Sequence, residues 1–297
     1  MAAAEQLRLD LVVATVDRTD DVERLLGSLA AQTHTAFRLV VVDQNPDDRI
    51  ASLLASHPTL ETLHLRSARG LSRARNAALP HLEADLVGFP DDDCSYPPDL
   101  LARVAARFVA DPGLGILSGR AVAADGATAG RWPSEPAVVT PDSVWHTANS
   151  HTIFLRRTVL ERVGGFDEEL GLGAGTPWSS GEEIDLLVRA LRLDVRMAYD
   201  PSLVVTHPVK PVSPDTLVAL GRRDGAGVGY VLGRNAYPAR AVARMLVRPC
   251  LGTIASLVLL DGTRARFHAA TLAGRLSGLR EGGRARRRSP RGAPANR

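Results

Sequence analysis

The sequence is short of several residue types, and each shortage removes a class of protein. Its 297 residues hold two cysteines, Cys94 and Cys250. They lie far apart and lack metal-ligand spacing, which excludes a disulfide scaffold and a structural zinc site and fits a reducing compartment. Lysine occurs once, at Lys210, so the lysine-bearing glycine-rich phosphate loop expected near the N-terminus of a nucleotidyltransferase is missing. No apolar run reaches the roughly 18 residues of a spanning helix, and Met1–Asp10 has no apolar stretch of signal-peptide length. The expected location is therefore the cytoplasm.

What is present is an ordinary globular composition, 45% hydrophobic and 23% charged, on a chain long enough for one or two domains. The net charge of +3 conceals an asymmetry. From Ala236 to Arg297 there are 13 arginines and two acids, Asp261 and Glu281, which leaves 23 basic and 31 acidic residues in the rest. An acidic body offers no basic patch for nucleic acid, so none is expected as a partner.

The chain is organised around Phe89-Pro90-Asp91-Asp92-Asp93-Cys94-Ser95-Tyr96-Pro97. The apolar run Leu86–Phe89 reads as a buried strand, and the prolines end it and open a helix at Pro98. The three acids thus sit on the exit loop at a strand's C-terminal end, where open α/β sheets bind ligands. Adjacent carboxylates repel, and burying one unpaired is costly. A hard divalent cation bridging them to substrate phosphates satisfies them; a solvated acidic turn capping the next helix satisfies them equally on the triplet alone.

The surrounding pattern favours the site. Leu9–Ala14, Phe37–Asp43 and Leu60–Leu65 read as strands, as do Gly115–Ser118, Ser150–Leu155, Val195–Tyr199 and Val204–His207. Helices are expected from Asp20 (capped by Thr19 or Asp20), over Ile50–Ser56, Gly70–Leu79, Pro98–Asp111 and Arg156–Val163, and from Glu182 to about Leu193. Gly164 follows the fifth of these as a C-cap. This alternation predicts an α/β fold with a doubly wound, mostly parallel sheet flanked by helices. It also gathers Thr15, Asp17, Asp43 and the acid triplet on one sheet edge. Residues 121–149 show no clear period and read as a variable loop.

A second acidic group opens a helix. Ser180-Gly181-Glu182-Glu183 fits a capping box, which needs no catalysis. The glycine-rich stretch before it, Gly171–Gly181, is long for a connector and suits a substrate lid. Trp178 on it offers a flat face to a sugar ring, or to the core.

Together these residues resemble family 2 glycosyltransferases of the GT-A fold. The family's opening strand motif survives in part as Ala14-Thr15-Val16-Asp17-Arg18, its helix end as Ser28-Leu29-Ala30-Ala31-Gln32-Thr33, and its second strand end as Val41-Val42-Asp43-Gln44-Asn45-Pro46. Its Gly-x-x-x-Ala-Arg-Asn helix is matched from Gly70 to Asn76, and its Asp-x-Asp motif by Asp91-Asp92-Asp93. Its Gly-Gly-Phe-Asp-Glu turn is matched from Gly164 to Glu168, and its Gly-Glu-Asp-x-Asp-Leu motif by Gly181-Glu182-Glu183-Ile184-Asp185-Leu186. The likeness spans Leu9 to His207. Glu183 stands where the family usually has Asp, Gln44-Asn45 where it has Asp-Gly, and Val16 where it has Tyr.

The resemblance implies a metal-dependent, inverting transferase that moves a sugar from a nucleotide-diphosphate donor to a glycan or lipid-linked acceptor, in envelope or exopolysaccharide synthesis. By it, Thr15, Asp17, Arg18, Asp43 and Arg75 line the nucleotide site and Asp91 and Asp92 contact the donor. Asp93, with Asp91 and His207, holds Mn²⁺ or Mg²⁺. Glu183 is the base, with Glu182 and Asp185 orienting it or the acceptor. The rival reading is a non-catalytic GT-A domain serving as a scaffold at the membrane surface.

The catalytic domain is expected over residues 1–235, followed by a basic amphipathic helical extension over 236–283 and a disordered arginine-rich tail over 284–297. Such helices suit an anionic membrane surface, making the protein peripheral on the inner face of the cell membrane. Packing on the catalytic domain is the alternative.

Overall fold

The computed structural model describes residues 6–123, 125–128, 132–209 and 211–288. Two compact units emerge. One comprises the chain through Arg69, Arg73–Gly165 and Ala190–Val209; the other comprises Gly70–Ser72, Phe166–Arg189 and the chain from Lys210 onward. The second unit therefore takes in Phe166–Arg189 and starts well before the expected boundary at residue 236.

The first unit is built on a sheet of eight strands among the described residues, in the order β3-β2-β1-β4-β7-β5-β8-β6. These are β1 (Leu9–Thr15), β2 (Phe37–Asp43), β3 (Thr62–Arg66), β4 (Leu86–Gly88), β5 (Ile116–Val122), β6 (Ala137–Val138), β7 (Ile153–Arg156) and β8 (Met197–Thr206). β1 to β4 pair in parallel, as the alternation of strands and helices requires. β7 then enters antiparallel between β4 and β5, and β8 pairs parallel with β5. The apolar runs of β1 and β2 are buried on both faces, as a covered parallel strand demands.

Helices α1 (Asp20–Ala30), α2 (Arg49–Ala55), α3 (Leu71–Ala78), α4 (Leu100–Ala110) and α5 (Arg157–Val163) alternate with the strands. In α1, Val22, Leu25, Leu26 and Leu29 recur at helical spacing and are all buried. Its expected side-chain cap is not made: Thr19 is the N-cap but forms no capping hydrogen bond. Asp20, Asp21 and Glu23 in the first turn favour the dipole instead. Gly164 closes α5 at φ 77°, a left-handed value that glycine adopts without strain.

Three sequence expectations change. The strand expected over Ser150–Leu155 begins with a 3₁₀ turn at Ser150–Thr152, because Thr152 Oγ1 accepts from Asn149 N–H at 3.2 Å and folds the chain before β7. The two short strands at 195–199 and 204–207 are one strand, β8, whose pairing with β5 shifts register between Ser118 and Arg120. Gly119 permits that shift, since a Cβ there would lie 2.2 Å from the Leu203 carbonyl oxygen. The stretch 121–149 contains the end of β5, β6 and a 3₁₀ turn at Val144–His146, in addition to loop. Trp132 in that stretch stacks on Tyr199 at 6.3 Å between ring centroids.

The second unit holds α6 (Glu182–Leu191) for most of its length, with α7 (Pro214–Arg234), α8 (Ala239–Val258) and α9 (Gly262–Arg288). α7 and α9 run parallel and meet through glycine. A Cβ on Gly225, Gly229 or Gly233 would fall within 2.4 Å of a backbone oxygen of α9, and one on Gly274, Gly278 or Gly282 within 2.2 Å of a backbone oxygen of α7. α8 returns antiparallel beside α9, where Gly252 meets His268 and Arg275 donates to the Met245 carbonyl.

The arginine-rich end is helical as far as Arg288, so the tail expected to be disordered from residue 284 begins as the last turns of α9; residues 289–297 lie outside the described residues. α8 is long and apolar enough to cross a membrane, with 17% of its most apolar window buried. The expectation of no such segment rested on uninterrupted runs. A helix can be apolar enough on average with a few charges in it, here Arg244 and Arg248 in its N-terminal half.

Candidate functional site

The acid triplet forms a charged cluster whose partners come from four places in the first unit. Thr15, at the end of β1, donates through Oγ1 to Asp92 Oδ2 at 2.8 Å. Arg18, three residues on, bridges Asp92 Oδ1 at 2.7 Å and Asp93 Oδ2 at 2.8 Å. Arg75 of α3, 1% exposed, reaches Asp91 Oδ1 at 3.1 Å and lies over the Phe89 ring. The 3₁₀ turn before β7 adds Ser150 Oγ at 3.0 Å from Asp91 Oδ1 and His151 Nδ1 at 3.0 Å from Asp91 Oδ2. Just past β8, His207 Nε2 lies 3.1 Å from Asp93 Oδ1 and 4.0 Å from Asp91 Oδ2.

His207 is held there by backbone. Ser95 and Thr206 exchange two backbone hydrogen bonds at 2.8 and 3.0 Å, and the His207 N–H donates to the Val122 carbonyl at 2.8 Å. Its ring stacks on that of His151 at 4.6 Å, 12° from parallel.

The electrostatics follow. Burial pushes the Asp91 carboxyl up, but the hydrogen bond and charge of His151, the Arg75 guanidinium and the Ser150 hydroxyl outweigh it and hold the group at about 2. Asp92 moves the other way: burial dominates over Arg18 and Thr15 and raises its pKa. Burial, with Asp91 and Asp93 nearby, pushes the Cys94 thiol well up. The repulsion among the three acids is thus relieved in part by Arg18 and Arg75, and does not by itself require a metal.

The donor set nevertheless suits one. Ligand atoms of Asp91, His151 and His207 all lie within 4.8 Å of one another. His151 Nε2 is buried and has no hydrogen-bond partner.

Next to the cluster on the same edge, Asp17 and Asp43 meet at Asn45. Asp17 has φ 58° and its N–H donates to Asn45 Oδ1 at 2.7 Å. Asp43, fully buried, accepts from the Asn45 N–H and Nδ2 at 2.8 Å and lies 3.1 Å from His64 Nε2 and from Arg66. Arg69 pairs with Asp17 at 2.7 Å.

The sequence reasoning missed Ser150, His151, Asn45, His64 and Arg66. His64 and Arg66 carried a signal, because residues two apart on a strand share a face and Asp43 ends the neighbouring strand. His151 carried none, since it faces the acids through a 3₁₀ turn.

The remaining expected residues belong to the second unit. Glu182, Glu183 and Asp185 open α6, with Glu182 6% exposed and Asp185 fully buried. Asp185 is fixed by Arg189 Nε at 2.9 Å and by the Asn235 side-chain amide at 2.7 Å. Trp178 stacks on Tyr230 at 5.2 Å, so one face of its ring is covered. Tyr230 donates to Glu169, and burial followed by that bond raises its pKa.

A mostly parallel sheet carrying acids, arginines and histidines at its strand ends defines a GT-A glycosyltransferase domain. Residues 10–164 match the model of glycosyl transferase family 2, and the chain belongs to that family. That match covers the acid triplet and His151 but stops short of His207 and α6.

Among relatives, the pre-mycofactocin glycosyltransferase of Mycobacterium tuberculosis is 27% identical over 210 residues, covering 66% of this chain and 42% of that protein. The chain thus spans less than half of that relative. The succinoglycan biosynthesis protein ExoM of Rhizobium meliloti is 25% identical over 249 residues, covering 80% and 79%. Among solved structures, the mannosyltransferase PcManGT of Pyrobaculum calidifontis, in complex with GDP-Man and Mn²⁺, superposes with a TM-score of 0.63 at 19% identity, covering 93% of this chain and 88% of that one. TarS of S. aureus superposes at 0.60 and 19% identity, covering 91% and 55%. At these identities the structures establish the fold.

Proposed function

We propose that this protein is an inverting glycosyltransferase that uses a nucleotide-diphosphate sugar and a divalent metal to glycosylate a glycan or lipid-linked acceptor in polysaccharide synthesis, at the face of an anionic membrane. The observation that carries the reading is the convergence of Asp91, Asp92, Asp93, Arg18, Arg75, His151 and His207 in one cluster at the strand ends.

Asp91, Asp93, His151 and His207 are the groups that would hold the ion. Two imidazoles beside carboxylates suit Mn²⁺ better than Mg²⁺, which prefers an all-oxygen shell. When bound, such an ion acts as a Lewis acid on the leaving diphosphate. Arg18 and Arg75 supply further positive charge for donor phosphates, and Thr15 and Asp92 orient the ribose. Asp17, Asp43 and Asn45 shape the base-binding edge.

Glu183 is proposed as the base that removes the acceptor hydroxyl proton during displacement with inversion at the anomeric carbon. Glu182 orients the acceptor. Asp185, locked between Arg189 and Asn235, acts by fixing the start of α6. The open face of Trp178 is proposed to meet an acceptor sugar.

A screen of UDP-, GDP- and dTDP-sugars by thermal shift, with and without Mn²⁺, tests the donor site. One nucleotide class should stabilise the protein only with metal, and Asp93→Ala should abolish that shift. Glu183→Gln should keep the donor shift and lose transfer. No shift with any donor would favour a binding or scaffold domain instead, and full turnover by Glu183→Gln would remove that residue from its role.

A further inference from the structure

The hairpin made by α8 and α9 ends in a solvent-exposed apolar tip. Val258, Leu259 and Leu260 are 76, 75 and 91% exposed, and Leu257 joins them. Behind the tip, Val247, Leu251 and Ile254 continue a stripe along one face of α8 at helical spacing, each more than half exposed. The opposite face, through Ala241, Pro249 and Ser256, is buried. The packing of the helical unit therefore leaves this stripe uncovered. Exposed apolar surface of this continuity marks an interaction site.

Charge identifies the occupant. Between Arg248 and Arg264 the single charged residue is Asp261, and it pairs with Arg264 at 3.3 Å. Arginines thus frame the apolar segment on both helices: Arg240, Arg244 and Arg248 before it, and Arg264 and Arg266 after it. A partner protein of ordinary surface would not require this arrangement, whereas an anionic bilayer presents phosphates above hydrocarbon in that order.

We infer that the α8–α9 hairpin is a monotopic membrane wedge, with Leu257–Leu260 and the tipward part of the α8 stripe, Leu251 and Ile254, entering one leaflet of an anionic bilayer and the framing arginines held at its phosphates. The arginines set the depth. α8 alone is long enough to span, but its antiparallel partner α9 brings Arg264 and Arg266 within a few residues of the tip, and crossing would drag them through hydrocarbon. The insertion is therefore shallow, about 5–10 Å, as for interfacial helices. The inference rests on the membrane-facing part of the proposed function and is independent of its chemistry.

The protein carries a suitable probe site. Cys250 is exposed on α8 and Cys94 is buried, so an environment-sensitive thiol fluorophore marks Cys250 alone. Cys250→Ser with Leu260→Cys moves the probe to the tip, and Cys250→Ser with Val109→Cys, on an exposed residue of α4, serves as control. With phosphatidylcholine–phosphatidylglycerol vesicles, the tip probe should shift blue and be quenched by spin labels in the upper acyl chain, the Cys250 probe should respond less, and the Val109 probe should not respond. Leu257→Glu with Leu260→Glu, both at exposed positions, should cut vesicle partitioning roughly tenfold or more and leave the nucleotide-sugar thermal shift unchanged.

Unchanged partitioning of that variant would overturn the wedge, as would absence of any spectral response with vesicles. Quenching of the tip probe by an impermeant reagent sealed inside the vesicles would show a spanning helix and overturn it too. A blue shift that needs no vesicles and grows with protein concentration would assign the face to a second copy of this chain. Loss of the donor shift in the unmodified protein would instead count against the transferase reading and leave the wedge standing.

Discussion

The two units of this chain are held together in opposite ways. In the sheet unit, large apolar side chains fill the core: Leu9, Leu11, Val13, Leu25, Leu29 and Leu39 are essentially fully buried. In the helical unit, α7 and α9 approach through residues that have no side chain, with Gly221, Gly225, Gly229 and Gly233 on one helix and Gly274, Gly278 and Gly282 on the other. The first arrangement gains free energy from apolar area removed from water. The second gains it from close backbone contact, where dispersion and Cα–H···O interactions need the helices near each other. A core of side chains fails when atoms are removed, and a seam of glycines fails when atoms are added.

That contrast can be broken experimentally. The largest effect is expected in the sheet core, where Leu11→Ala should cost about 2–5 kcal/mol, read by denaturant unfolding, because it deletes buried methyl groups and leaves a cavity. In the seam the opposite change should do comparable damage. Gly278→Ala places a Cβ 1.9 Å from the Ala226 carbonyl oxygen, and the helices must separate to admit it, costing about 1–3 kcal/mol. If Gly278→Ala melts like the parent, the seam is looser than the glycines indicate.

The polar link at α6 offers an intermediate test. Asn235→Ala removes one of the groups that satisfy the buried Asp185 carboxylate, and should cost about 1–3 kcal/mol in thermal or chemical melts. The smallest effect reverses the sign for the same kind of substitution. Gly27 sits on the exposed side of α1, and a Cβ there would meet nothing within 4 Å. Gly27→Ala should therefore stabilise by about 0.5–1 kcal/mol through helix propensity. A destabilised Gly27→Ala would show that conformation, and not space, governs glycine in this protein.

Much of the fold and part of the site are visible in the residues themselves. The apolar runs at Leu9, Phe37 and Leu86 can be satisfied only by burial, and their spacing with α1, α2 and α3 enforces a parallel sheet with its strand ends on one edge. From that alone Thr15, Asp43 and Asp91–Asp93 had to lie together, and they do. The same local logic placed Gly164 at the end of α5 and the acids at the start of α6, because helix termini have fixed chemical needs.

Tertiary structure decided the rest, for the reason that it depends on pairings between distant segments. The antiparallel entry of β7 between β4 and β5 is a choice of neighbour that no local pattern encodes, and it is this entry that sets Ser150 and His151 against Asp91. The stacking of His151 on His207 requires β7 and β8 to flank β5, more than 50 residues apart in sequence. The glycines of α7 and α9 recur at every fourth residue in plain view, yet a glycine repeat carries no address. Only the folded chain shows that each set opposes the other, and that α8 is left with one face bare.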